Sequence, residues 1–363
     1  MSHRTKIQWV HDTANPVMGC DGCPLWPTIR NLETAMVRIA TRYAPALDRV
    51  EIMERIRALL RETSDPSRYI HGCRLLDATL NWLEPQLVMS RRLEVETELL
   101  SLYRCYAGVM SRHLAGKNKG FPDSFDIPKM FPGRTAATAM HGFPRPSEIT
   151  TKPWLTGLRR LIFVSDMGDA LSDSIPFDFL KTEIVDVAAS PNGSRHIWLW
   201  LTKRAERMAE FSDWLLSGGT MWPKNLVPMA SILNPGYARQ AMNLLRIPAT
   251  VRGYSVEPLD NPLRLPDELL GGDGWVILGG ESGNGAVDHP FELDWARAIR
   301  DQCASSKTPF FMKQLGAVST NHDEHYVVAD SHGGDWREWP SDLRVRQFPR
   351  NFALDTSPDL PGL

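Results

Sequence analysis

Residues 15–27, NPVMGCDGCPLWP, place Cys20 and Cys23 three positions apart in a stretch too rich in Gly and Pro for a helix interior. A C-x-x-C pair can be a dithiol redox centre, half of a zinc site or part of an iron-sulfur site. The redox reading needs a strand before the pair and a helix after it, and NPVMG and PLWP provide neither. A four-thiolate zinc site needs a second pair, whereas the remaining cysteines, Cys73, Cys105 and Cys303, are distant singles. Three cysteines and an open fourth position suit an iron-sulfur cluster whose unique iron binds a small molecule.

A second group of reactive types stands at the ends of apolar runs. RRLIFVSDMGD (159–169), RHIWLWLTKR (195–204), TVRGYSVEPL (250–259), GWVILGGESG (274–283) and TPFFMKQLG (308–316) each give way at once to polar residues. These are Asp166 and Asp169, Lys203 and Arg204, Glu257, Glu281 with Ser282, and Lys313 with Gln314. Apolar runs bury strand bodies, and ionisable residues at their carboxyl ends line the mouth where parallel α/β folds hold their sites.

The elements that must position these residues follow from periodicity. Including NLVPMASIL (225–233), the β-rich runs alternate after Pro153 with amphipathic segments such as PFDFLKTEIVDVAAS, YARQAMNLLR and FELDWARAIRDQCASS. Strand then helix, repeated, predicts a parallel sheet with right-handed crossovers, an α/β fold forming a partial or full (β/α) barrel. Residues 32–112 differ, with apolar positions at helical spacing and Arg and Glu opposite them, which predicts a helical block with solvated charged faces. GKNKGFPDSFDIPKMFPGR reads as an irregular loop, and DSHGGDWREWPSDLRVRQFPR as an extension packed over the barrel.

Composition sets outer bounds. With 41 Lys and Arg against 43 Asp and Glu among 363 residues, net charge gives no global reason to bind a polyanion. No apolar run reaches the length of a membrane helix, and MSHRTKIQWVHD lacks the apolar core of a signal peptide, so a cytoplasmic protein is expected. In that reducing compartment the five cysteines favour metal ligation or catalysis over disulfides.

TKIQWVHDTANPVMGC, RCYAGVMSRHLAG, RRLIFVSDMGDALSDSIP, HIWLWLTKRAERM, YSVEPL, WVILGGESG, RDQC, PFFMKQLG and WPSDLRVRQFP resemble, in order, the blocks of the phage Gp37/Gp68 family, also called the DUF5131 or three-Cys-motif family. Its members resemble radical S-adenosylmethionine (SAM) enzymes, spore photoproduct lyase among them. The resemblance implies a barrel of that type, holding a 4Fe-4S cluster on three cysteines. The family's third cysteine stands in a Cys-Tyr-Ala block, here Cys105, Tyr106 and Ala107. In the family it follows soon after the first two, whereas here residues 24–104 intervene, which implies a helical insertion into the cluster loop.

The implied organisation is an N-terminal segment with the C-x-x-C pair (1–27), a helical insertion (28–101), a barrel core (102–318) and a C-terminal extension (319–363). The implied ligands are Cys20, Cys23 and Cys105. Cys73, in a Gly-Cys context like that of Cys20, is the alternative, and Cys303 is expected to be a small buried helix residue.

Such a cluster chelates SAM and, once reduced by an external donor, cleaves it to a 5'-deoxyadenosyl radical that abstracts hydrogen from a substrate. Asp166, Asp169, Glu257 and Glu281 are candidates for the SAM ammonium or ribose. Gly279, Gly280 and Ser282 in GGESG offer backbone N–H groups at close approach. That glycine cluster lacks the spacing of a dinucleotide or phosphate-loop fingerprint. Lys203 can neutralise a cofactor anion, and Arg204, Lys313 and Gln314 can contact substrate, for which the resemblance points to a nucleic acid or nucleotide. The 12 tryptophans and 13 phenylalanines can be stacking platforms or core. The resemblance also implies a three-Cys-motif partner protein.

Two rivals remain open. One is an iron-sulfur or zinc-binding barrel acting as a non-catalytic binding or regulatory module with a protein partner. The other is a hydrolase using the mouth carboxylates with a divalent metal. His141, His196, His289, His322 and His325 are scattered and read as ordinary core or surface histidines.

Overall fold

The computed structural model describes residues 7–20, 29–63, 72–87, 91–101, 105, 107–108, 110–111, 125, 127–282, 284–287, 289–322 and 324–354. The chain divides into two compact units, one of residues 17–129 with 172–174 and one of residues 1–16, 130–171 and 175–363.

The first of these holds α1 (Ile29–Tyr43), α2 (Arg49–Thr63), α3 (Gly72–Leu83) and α4 (Arg92–Ser101). Their apolar stripes form its interior: Met36, Ile39 and Ala40 of α1, Ile52, Ile56 and Leu59 of α2, Leu75, Leu80 and Leu83 of α3, and Val95 and Leu99 of α4 are buried. Their charges pair at the surface, as in Arg57 with Glu33 at 2.7 Å and Arg55 with Glu62 at 3.3 Å. These helices answer the helical periodicity of the block, and such exposed pairs add solubility more than stability.

The larger unit is built on a seven-stranded sheet of β1 (Asp12–Ala14), β2 (Leu161–Val164), β3 (Ile197–Thr202), β4 (Leu226–Ser231), β5 (Arg252–Val256), β6 (Gly274–Gly279) and β7 (Phe310–Gln314). Every neighbouring pair is parallel, and the order across the sheet is the order along the chain. The result is a mixed α/β parallel half-barrel. Right-handed crossovers in one direction put the connecting helices on one face. They are α5 (177–189), α6 (Ala205–Ser217), α7 (Pro235–Ala241) and α8 (Leu293–Ser305).

β2 to β7 lie inside the six apolar runs. β1 does not, and it comes from residues ahead of the 102–318 stretch to which the sequence assigns the barrel. Three residues with a charged Asp12 make no apolar run, so only the pairing of Asp12, Thr13 and Ala14 with Ile162, Phe163 and Val164 reveals the strand. FELDW differs as well: Phe291–Glu292 is a short strand, and α8 begins after Glu292, whose carboxylate accepts from Asp294 N at 3.2 Å as its cap.

Strand alternation fixes two core layers. Leu161, Phe163, Ile197, Leu199, Val227, Met229, Trp275, Ile277 and Phe311 point one way and pack with Trp9, Val251, Phe348 and Phe352. On the helix side Trp200 lies 6.2 Å from Trp222, stacked, and 5.7 Å from Phe211 of α6. Trp198, Trp200, Trp275 and Trp339 are fully buried, so these tryptophans are core and not stacking platforms.

The tail does pack over the barrel. Met312 N donates to Val345 O (2.8 Å) and Gln347 N to Phe310 O (2.8 Å), while Arg159 N donates to Phe352 O (2.8 Å). The tail therefore spans from β7 to the entry of β2 and plugs the core layer with Phe348 and Phe352. Among the described residues no helix is long and apolar enough to cross a membrane.

Candidate functional site at the strand ends

The carboxyl ends of the parallel strands gather the polar residues expected there into two groups. The first stands where β1, β2 and β3 end. Asn15 Nδ2 donates to Asp166 Oδ1 at 2.5 Å, and Asn15 Oδ1 accepts from Met167 N at 3.0 Å. Burial pushes the Asp166 carboxyl above the usual carboxylate range, against the hydrogen bonds from Asn15 and Thr13 that oppose the rise. Ser165, just before it, is buried with φ of 70°, and its hydroxyl has no hydrogen-bond partner among the described residues. A left-handed non-glycine residue stores strain, and such residues concentrate at functional positions.

Asp169 has a different duty. Its carboxylate accepts from Leu171 N (3.0 Å), Thr202 Oγ1 (2.9 Å) and Lys203 N (3.2 Å), and it is 8% exposed. It ties the loop after β2 to the end of β3 and is therefore a framework carboxylate. Lys203 and Arg204 are half-buried at the turn into α6, with Arg204 N donating to Thr202 Oγ1 at 2.9 Å.

The second group stands where β5, β6 and β7 end. Lys313 Nζ donates to Glu257 Oε1, so the ammonium and carboxylate neutralise each other. Gln314 Nε2 donates to Gly280 O at 3.1 Å and reaches Glu257 Oε1 at 3.4 Å. Gly280 N in turn donates to Gln314 O at 3.1 Å. A Cβ on Gly280 would stand 2.2 Å from Leu315 O, so what that glycine admits is the backbone following β7. This corrects the expected ligand contact at Gly280, because its N–H and its space are both taken by the framework. Gly279 has Glu257 and Gln314 beside it, and Glu281 and Ser282 are half-buried beyond. Glu281 O accepts from Ala317 N at 2.8 Å.

The cysteines belong to the other unit, apart from Cys303. Cys20 and Cys105 are half-buried, whereas Cys23 and Tyr106 lie outside the described residues, as does the GKNKGF segment. Cys20 follows Gly19, whose φ is 93° and whose Cβ would meet Phe125 O at 2.7 Å, and Cys20 N donates to Phe125 O at 2.8 Å. Only glycine accommodates both the left-handed backbone and that approach. Cys73 lies in the α3 backbone. Cys303 is fully buried in α8, and burial pushes its thiol up to about 12. It is the small buried helix residue expected of it, in the larger unit and not in the one that holds Cys20 and Cys105. Among the described residues no three His, Cys, Asp or Glu are grouped to hold a metal.

One charged cluster had no sequence signal. At the amino ends of β1, β2 and β3, Arg160 Nη1 donates to Asp12 Oδ2 (2.5 Å) and Arg160 Nη2 to Glu148 Oε2 (2.8 Å), with His141 Nδ1 3.1 Å from Asp12. Lys152 Nζ donates to Ile7 O and Val10 O at 2.6 and 3.0 Å. Burial, with Arg160 and Lys152 nearby, lowers His11 to about 3, and burial lowers His196 to about 4. These residues lie at the end of the sheet opposite the candidate site and serve stability. His196 is thus the ordinary core histidine expected of it.

The family model described as "Protein of unknown function (DUF5131)" matches residues 102–341, two thirds of the chain. The chain belongs to the DUF5131 family. The matched region contains Cys105 and the strand-end residues from Ser165 to Gln314, while Asn15, Cys20 and Cys23 precede it. Comparison with curated proteins and with solved structures gives no match.

Proposed function

We propose that this DUF5131 protein is a radical-SAM-type iron-sulfur enzyme, with a half-barrel of that type and a helical insertion in its cluster loop. One observation carries the reading. Along the chain the C-x-x-C segment begins six residues after the last residue of β1, and the later strands of the parallel half-barrel end in acids, bases and glycines.

The chemistry of Cys20, Cys23 and Cys105 accords with a three-thiolate cluster. Cys20 and Cys105 are half-buried in one unit, with Cys20 set by a left-handed glycine, while Cys303 is fully buried in the other. When bound, the cluster supplies the electron that cleaves SAM to a 5'-deoxyadenosyl radical.

The chain's own residues bind and orient. Cys20, Cys23 and Cys105 hold the iron as thiolates. Asp166, fixed by Asn15, accepts hydrogen bonds from ribose hydroxyls or an ammonium. Glu281 and Ser282 offer further polar contacts, and the Glu257–Lys313 pair matches a ligand part that carries both charges. Asp169 and Gln314 keep the strand ends in register. A nucleotide or nucleic-acid substrate accords with Lys203 and Arg204 at the mouth, and a three-Cys-motif partner remains part of the proposal.

Anaerobic iron and sulfide analysis tests the ligand set. Wild type is expected to take up about four irons per chain. Cys20→Ala and Cys105→Ala should lose most of them, whereas Cys73→Ala and Cys303→Ala should keep them. Full iron in Cys105→Ala together with loss in Cys73→Ala would transfer the third-ligand role to Cys73.

A further inference from the structure

Arg346, on the tail outside the family match, lies against the segment of β7 that carries Lys313. β7 and β6 run in register from Phe310 opposite Val276 to Met312 opposite Leu278, and then Gln314 stands opposite Gly279. Two steps on β7 oppose one on β6, so Lys313 is the extra residue of a bulge. Bulges interrupt the ladder and re-aim a side chain, and they are rare between parallel strands. They also strip backbone carbonyls of ladder partners, which has a cost unless other donors reach them.

Arg346 provides those donors. Its Nε donates to Met312 O and its Nη2 to Lys313 O, each at 3.1 Å, so one guanidinium grips the carbonyls on both sides of the Met312–Lys313 step. The guanidinium is held from the other side by rings. It lies 3.7 Å from the Trp154 centroid, and 5.1–5.3 Å from those of Trp339, Phe311 and Trp336. Arg346 is 6% exposed, and burial lowers its pKa to about 9, so its charge is held at a cost. Phe311 and Arg346 form an antiparallel bridge that sets the tail's register on β7.

A planar fork reaches two carbonyls and stacks on aromatic faces at once, which an ammonium does not.

We propose that Arg346 is a positioning residue that fixes the bulge at Lys313 and thereby directs the Lys313 ammonium to Glu257 at the strand mouth. The inference does not depend on which cofactor the strand ends serve. The family-matched pair of Lys313 and Glu257 is thus set from a segment beyond the match.

Residue-resolved acylation tests this. Full-length protein is labelled briefly with an N-hydroxysuccinimide ester, and the rate at each lysine is read by mass spectrometry. Lys152, 7% exposed and bonded to Ile7 O and Val10 O, reports global opening. Glu257→Gln calibrates the release of Lys313. Arg346→Lys keeps a cation and loses the fork, and Lys313 is expected to react at least fivefold faster, near the Glu257→Gln rate, with Lys152 unchanged. Trp336→Leu opens the half-buried wall of the cage and should accelerate Lys313 by a smaller factor, so the proposal remains testable should Arg346→Lys not fold. An unchanged Lys313 rate in the folded variants would overturn the assignment. So would Lys313 and Lys152 rising together, because that is the signature of a merely structural residue.

Discussion

At the scale of the residue, the types at the strand ends were legible and their partners were not. Asp166, Lys203, Glu257 and Lys313 stand where the apolar runs predict. The hydrogen bond from Asn15 to Asp166 joins residues 151 apart in sequence, and nothing in local pattern encodes such a pairing. The same holds for the buried histidines. Unfolded histidines take up protons below pH 6.5, whereas His11 and His196 stay neutral in the fold down to about 3 and about 4. Their folded pKa values are depressed, so unfolding takes up protons as pH falls, and stability complete above pH 6.5 is lost through the window from 6.5 toward 4. Between pH 6.5 and 5 each contributes a loss of about 1–2 kcal/mol. Denaturant unfolding at pH 7.5 and pH 5 should show that decline, and His196→Gln should reduce it. Equal stability at both values would mean that the two histidines are protonated in the fold. At Glu148 burial is outweighed by hydrogen bonds from Arg145 and Arg160, which lower the carboxyl to about 2, so its contribution is lost as pH falls from about 4.5, below the two values compared.

At the scale of the element, six strands could be read because both faces of each are buried and the runs are continuous. β1 could not, since three residues cannot display a period. The partner of Gly280 is hidden for a related reason: a glycine after a strand announces a close approach without saying to what. Here the approach is to the backbone at Leu315. Gly280→Ala forces that backbone away and separates the ends of β6 and β7, which should cost about 3 kcal/mol, the upper end of overpacking. Equilibrium unfolding checks the loss, and a variant as stable as wild type would show that the approach relaxes freely.

At the scale of the whole molecule, the half-barrel is completed by its own tail. The aromatic and arginine content of residues 330–350 signalled packing, while its lack of periodicity hid the route from β7 to the entry of β2. Phe352, fully buried in the core layer, should cost roughly 3–5 kcal/mol when replaced by Ala. A loss under 1 kcal/mol would mean that the tail is dispensable. The α/β class, six of the seven strands and the polar strand ends thus follow from sequence, whereas the closure of the core depends on contacts between distant segments. Catalysis by a reduced cluster is tested most directly by anaerobic reconstitution with iron and sulfide, dithionite reduction in the presence of SAM, and chromatography for 5'-deoxyadenosine. Its formation by wild type and its absence in Cys20→Ala is the predicted result. No 5'-deoxyadenosine from protein that spectroscopically holds its cluster would contradict the enzyme reading and leave a binding module.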